Sequence, residues 1–98
     1  MIHVTHSREN DSQLADAFKA LGHPVRLALL RHMLAEDPCV GELQEAVGQS
    51  QSSVSQHLGI LRDRGIIVPQ RDGNRTCYRV ADDRLAELLS MAEQVLES

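Results

Sequence analysis

The sequence predicts a mainly α-helical domain with one small β-hairpin, in the order α-α-β-α-α-β-β-α, and three observations lead there. The first is Gly41–Gly65 (GELQEAVGQSQSSVSQHLGILRDRG), which splits into two short helical patterns. Leu43, Ala46 and Val47 share one apolar side. Gly48-Gln49-Ser50 then interrupts with a residue suited to positive φ and one suited to an N-cap. From Gln51 onward Val54, Leu58 and Leu61 recur at i, i+4, i+7, the buried stripe of a second helix. The second observation is a pair of strand-like segments, Ile66-Ile67-Val68 and Arg75–Val80 (RTCYRV), around the turn signal Asp72-Gly73-Asn74. The third is composition: 42% of residues are hydrophobic but only 2% are aromatic, Phe18 and Tyr78. Such a core is built from Leu, Val, Ile and Ala, which favours helix-on-helix packing. Together these describe a helix-turn-helix followed by a β-hairpin wing.

Taken in order, Met1–Asn10 is polar and without periodicity, and reads as a flexible arm preceding a single domain over 11–98. Asp11 or Ser12 can cap a first helix with Leu14, Ala15, Ala17, Phe18 and Leu21 apolar, ended by Gly22. Pro24 suits the first turn of the next helix, where its missing N–H costs nothing. That helix, about Pro24–Ala35, is apolar nearly all round and should be central to the core. Glu36-Asp37-Pro38 breaks it, and Cys39-Val40 reads as a short extended segment. After the helix-turn-helix, Pro69 closes the strand Ile66–Val68. Asp82–Glu97 is an amphipathic helix with Leu85, Leu88, Leu89, Ala92, Val95 and Leu96 apolar. The first and last helices are free to pair across a two-fold axis, which predicts a homodimer whose reading helices meet half-sites about 34 Å apart.

A net charge of −4 looks unsuited to a polyanionic partner until it is divided along the chain. Residues 1–49 carry four Lys/Arg against seven Asp/Glu, residues 50–80 five Arg against two Asp, and residues 81–98 one Arg against five acids. The local balances are thus −3, +3 and −4. Local field decides where a polyanion docks, and here it is positive only over the second helix and the wing. That helix's outer face holds Gln51, Ser52, Ser55, Gln56 and Arg62. A merely solvated face favours Glu and Lys; Ser and Gln suit close approach to base edges and phosphates. No apolar run nears the roughly 20 residues that span a bilayer, and MIHVTHSREN lacks the apolar stretch of a signal peptide. The expectation is a cytoplasmic chain, away from membranes, with Cys39 and Cys77 reduced by default.

The residues also resemble the ArsR/SmtB family of small dimeric bacterial repressors. The matching words are Leu14–Leu30 (LADAFKALGHPVRLALL), Val40–Leu43 (VGEL), Ser50–Gly65 (SQSSVSQHLGILRDRG) with Ile66-Ile67-Val68, and Gly73–Val80 (GNRTCYRV). They cover nearly everything after the first ten residues, in one order and spacing. The resemblance implies a winged helix-turn-helix homodimer that binds double-stranded operator DNA and is released by an inducer, often a metal ion. It makes Gln51, Ser52, Ser55, Gln56 and His57 the groove-facing residues, and Arg71, Asn74 and Arg75 the wing residues that touch phosphates or the minor groove. Arg62 and Arg64 read as backbone contacts or solvated charges. His57 has a second reading, as a half-buried residue packed beside the turn, and Ser53 lies toward the core side.

What the chain senses is less evident. Family metal sensors carry a Cys-x-Cys pair before the recognition helix; here the stretch is Cys39-Val40-Gly41, and one thiolate cannot supply the converging soft ligands such a site needs. Other members hold zinc across the dimer with Asp, His, His and Glu on the last helix. Asp82 matches the first position, but Arg84, Val95 and Ser98 stand at the others. Two alternatives remain beside ordinary small-residue roles for the cysteines. In one, Cys39 and Cys77 form a redox pair, because the short strand of a winged helix commonly pairs with the second wing strand. In the other, His3 and His6 of the arm join Cys39 around a regulatory Zn²⁺ or Ni²⁺. His23 and His32 fall in core helical sequence and read as structural. An enzyme finds little support, with neither a glycine-rich phosphate loop nor a Ser/His/Asp arrangement. A winged-helix protein-interaction adaptor is the stronger rival, although it has no need of a Ser/Gln face or an arginine-tipped wing.

Overall fold

A computed structural model describes residues 8–36 and 38–97, with side chains from Asn10 onward. The elements are α1 (Arg8–Leu21), α2 (Pro24–Ala35), α3 (Val40–Val47), α4 (Gln51–Asp63), β1 (Ile67–Asp72), β2 (Arg75–Val80) and α5 (Leu85–Glu97). This is the expected winged helix-turn-helix, except that the first short strand is reduced to an isolated bridge between Cys39 and Cys77. Among the described residues no helix is long and apolar enough to cross a membrane.

α2 is the centre, as its all-round apolar character predicts. Leu29 and Leu30 are wholly buried, with Met33 beside them. His23 caps the helix, Pro24 opens it, and Glu36 ends it in extended backbone. Around it gather Ala20 and Leu21 of α1, Leu43 of α3, Val54, Leu58 and Leu61 of α4, and Ile67, Tyr78 and Val80 of the hairpin.

Three boundaries differ from the sequence reading. α1 begins at Arg8, so Asp11 and Ser12 lie inside the helix rather than capping it, and the helix takes in three residues assigned to the arm. A polar first turn carries no apolar period to announce it, and helix ends are the least legible part of such a pattern. Val40 is the first residue of α3, with Cys39 as its N-cap in extended backbone. α5 starts at Leu85, because Asp82 organises a turn ahead of it: its carboxylate accepts the Arg84 N–H and its carbonyl the Leu85 N–H.

The hairpin is antiparallel, with Ile67 opposite Val80 and Asp72 opposite Arg75. Pro69 does not end β1. It sits opposite Tyr78, whose N–H points the other way and donates to the Pro38 carbonyl at 3.2 Å, so the ladder asks for no donor from proline there.

One surface is left apolar. Leu14 and Phe18 of α1 are 55% and 53% exposed, and Leu88, Met91, Val95 and Leu96 of α5 are exposed with them. Between these helices and α2 runs an apolar groove of about 360 Å³, lined by Phe18, Leu27, Leu88, Leu89 and Leu96 among others and bridged by the Arg31–Glu93 ion pair.

Candidate nucleic-acid interface

The turn before α4 is built by two residues. Gly48 adopts φ 65° after α3, the left-handed conformation that ends a helix at little cost to glycine. Ser50 Oγ then accepts the Ser53 N–H at 3.1 Å and caps α4. Val54, Leu58 and Leu61 point into the core, so the opposite face is turned outward. Gln51, Ser52, Ser55 and Gln56 are all exposed, and among the described residues none of these side chains is hydrogen-bonded within the chain. Ser53 is half-buried, as expected, and donates through Oγ to Gln49. The result is a row of small or flat donors and acceptors with no internal partner to give up.

The wing turns at Gly73, φ 63°, and at Asn74 with φ negative, the pattern of a type II′ turn. Arg71 and Asn74 are exposed at its tip. Arg75 is exposed as well, but its guanidinium donates to Glu42 of α3 at 2.7 Å. Arg62 and Arg64 at the end of α4 lie within 3.6 Å and 3.7 Å of Asp63 and Asp16. A groove of about 430 Å³ runs along the seam between wing and α3, lined by Cys39, Glu42, Gln70, Arg71, Asp72, Arg75 and Cys77.

At the base of that groove Cys39 and Cys77 are joined as a disulfide, their Cα atoms 3.7 Å apart across 38 positions of sequence. The bridge at Cys39 brings them together. Both are nearly buried. The bond therefore connects the N-cap of α3 to the second wing strand.

The metal readings find no such support. His3 and His6 lie outside the described residues, and Cys39 spends its sulfur on Cys77. Among the described residues no three His, Cys, Asp or Glu side chains converge on a common point. Asp82 is held by Arg84 through both carboxylate oxygens at 2.7–3.1 Å, which pulls its pKa down to about 2. A carboxylate so engaged, beside a cation, is a poor start for a zinc site.

His57 is half-buried rather than fully in the outer face. Its Nδ1 lies 3.1 Å from Arg26 Nη1, and its ring centroid is 4.5 Å from that of His23. Burial, then His23, then Arg26 lower its pKa. Sequence reading passed over Arg26, although one signal was there: it is a cation in the first turn of a helix, where the dipole disfavours positive charge. His23 proves to be the helix cap rather than an interior residue, and His32 is exposed on α2.

Comparison with known proteins agrees with this geometry. The model for bacterial regulatory proteins of the arsR family matches residues 23–68. An uncharacterized HTH-type transcriptional regulator of Mycobacterium tuberculosis, Rv0081, is 43% identical over 83 residues, covering 84% of this chain and 73% of the relative. Its crystal structure superposes with a TM-score of 0.85 at 40% identity, over 93% of this chain and 92% of that one. The biofilm growth-associated repressor of Xylella fastidiosa is 35% identical over 79 residues, 81% of this chain and 69% of the relative. The homodimeric winged helix-turn-helix DNA-binding domain of Mb0332 from Mycobacterium bovis has a TM-score of 0.81 at 26% identity, covering 98% of this chain and 91% of that one.

Proposed function

Because the chain belongs to the arsR family of bacterial regulatory proteins, we propose that it is a dimeric, site-specific transcriptional repressor whose hold on operator DNA is set by the oxidation state of Cys39 and Cys77. The observation that carries the DNA-reading part is the outer face of α4: Gln51, Ser52, Ser55 and Gln56 stand free above a buried stripe, next to a wing tipped by Arg71 and Asn74. Gln56 can pair with adenine N6 and N7, and the wing arginines neutralise phosphates. Dimerisation is supported by the apolar faces of α1 and α5 and by the homodimeric state described for the Mb0332 domain. The test is fluorescence anisotropy of the full chain on its own upstream DNA and on random DNA over a salt series. Tighter binding to the former, with log affinity falling linearly against log salt, is the expected result. An adaptor that meets only proteins would give no such slope.

The redox part rests on the Cys39–Cys77 bond and on what lies beside it. A peroxide takes two electrons from the pair: one thiolate attacks an oxygen, giving a sulfenic acid and releasing hydroxide, which takes up the proton the thiol lost. The other thiolate then displaces hydroxide to form the disulfide, two thiols and one H₂O₂ yielding one disulfide and two waters. The bond ties the wing to the start of the helix-turn-helix. Across the same seam Glu42 occupies the Arg75 guanidinium, which removes one wing cation from the phosphates. On this reading the bond opposes docking by fixing the wing against α3, so the oxidised form releases DNA. In the measurement, reduced wild type binds, peroxide releases it, and Cys39→Ser and Cys77→Ser stay bound after the same treatment. Equal release of all three proteins would remove the thiol mechanism.

A further inference from the structure

The guanidinium of Arg26 is shared by three elements. Its Nε donates to the Ala20 carbonyl at 2.6 Å and its Nη2 to the Lys19 carbonyl at 3.2 Å. These belong to the last turn of α1, where a helix leaves carbonyls short of partners. Its Nη1 reaches His57 Nδ1, in the second turn of α4, at 3.1 Å. The His57 ring in turn packs on His23, whose own Nδ1 accepts the Val25 N–H at 3.1 Å and so caps α2. Arginine and the amide N–H only donate, so Nδ1 is the acceptor in both contacts, which for His57 puts the proton of the neutral ring on Nε2. Three side chains, Arg26, His57 and His23, thus fasten the end of α1, the start of α2 and the flank of α4 at one point. Arg26 explains its unfavourable place in the first turn of α2 only through these partners.

We propose that Arg26 is a positioning residue for DNA reading, one that sets the angle of α4 through a neutral His57. The inference rests on α4 being the DNA-contacting helix. The apolar stripe holds α4 to the core, but side chains such as Val54 and Leu58 tolerate small rotations; a three-pronged guanidinium bridging two helices does not. The rotation it restrains is the one that would swing Gln51, Ser52, Ser55 and Gln56 relative to the groove. Protonating His57 converts its acceptor into a donor aimed at a guanidinium, and the clamp opens. Burial and the neighbouring His23 and Arg26 hold His57 below its ordinary value of 6.5. The clamp is therefore complete above about pH 6.5 and is lost as pH falls through the lowered value. The groups set against His57 are His23 and Arg26. Elsewhere on the surrounding elements, Asp16 of α1 lies by Arg64, Arg31 of α2 pairs with Glu93 while His32 is exposed. Glu42 of α3 pairs with Arg75 while Glu45 is exposed, and Arg71 and Asp72 lie at the far end of β1.

The experiment is operator binding by the full reduced chain between pH 5.5 and 8, for wild type, His57→Asn and Arg26→Lys, with thermal melts alongside. Asparagine offers Oδ1 where Nδ1 stood, accepting without titrating. Lysine keeps the charge but cannot span three acceptors in fixed geometry. Relative to His57→Asn, wild type should lose affinity progressively toward pH 5.5, by less than about tenfold. A His57 held below 6.5 is only partly protonated there, and the full loss is on the scale of one hydrogen bond to a charged group. Arg26→Lys should be weakened about tenfold already at pH 7.5, with no further acid loss relative to His57→Asn. An acid loss in His57→Asn equal to that of wild type overturns the proposal. So does wild-type binding that strengthens toward acid relative to His57→Asn, which would make His57 a direct phosphate contact. If Arg26→Lys fails to fold, the His57→Asn profile decides alone. Absence of operator binding by wild type at pH 7.5 would instead remove the DNA-reading assignment, a result separable from failure of the clamp.

Discussion

The recognition helix and the wing are attached to the body in opposite ways. α4 is anchored from beneath by Val54, Leu58 and Leu61 and from the side by the Arg26–His57 hydrogen bond. The wing is buried only at its base, through Ile67, Cys77, Tyr78 and Val80, while its distal half is exposed on both strands. The buried Cys39–Cys77 bond fastens the base, and the exposed Glu42–Arg75 ion pair reaches the distal half. Hydrophobic anchorage does not respond to redox conditions, whereas a disulfide does. The difference puts apolar anchorage beneath α4 and a redox-sensitive bond beneath the wing.

Substitutions can break this contrast at each end. The largest effect is expected for Leu58→Ala. Leu58 is 1% exposed, and losing its side chain should cost about 2–5 kcal/mol of stability through transfer and cavity terms, measured by urea unfolding. A loss below about 0.5 kcal/mol would mean that α4 is not anchored from beneath. Next is Gln56→Ala, which leaves the fold untouched and should cost about 1–3 kcal/mol of specific binding, relaxing preference at one base position. Equal loss on specific and random DNA in a gel shift would deny Gln56 that role. Ser50→Ala removes the cap of α4 and should cost about 1 kcal/mol of stability, visible as a lower melting temperature with the oxidation response unchanged. The smallest effects belong to the wing. Arg71→Ala should weaken binding uniformly across sequences and flatten the salt slope by about one unit. Glu42→Gln should strengthen DNA binding by the oxidised protein by less than about 1 kcal/mol, the scale of an exposed ion pair.

How much of this was legible in the sequence follows the range of the interactions. Gly48, Ser50 and the Val54–Leu58–Leu61 spacing act within a few residues, so the helix-turn-helix could be read with its limits. Pro24 and the Glu36-Asp37-Pro38 break did the same for α2. Pro69 misled because proline ends a strand only where its own missing N–H would face the partner, and the register that sets it opposite Tyr78 asks for no such donor. The first turn of α1 has no apolar residue to mark it. Arg26 with His57 and Glu42 with Arg75 are pairs separated by 31 and 33 positions, joined only once the helices have packed, and no local pattern announces either. Cys39 and Cys77 were brought together by knowledge of how strands pair in such folds, not by their spacing.

The disulfide also turns part of the chain into a ring. Its closure spans 38 positions and encloses α3, α4 and β1, the whole reading head. Restricting an unfolded loop of that length is worth about 4 kcal/mol by chain entropy. The bridged chain should therefore be the sturdier one, slower to be digested than the reduced chain.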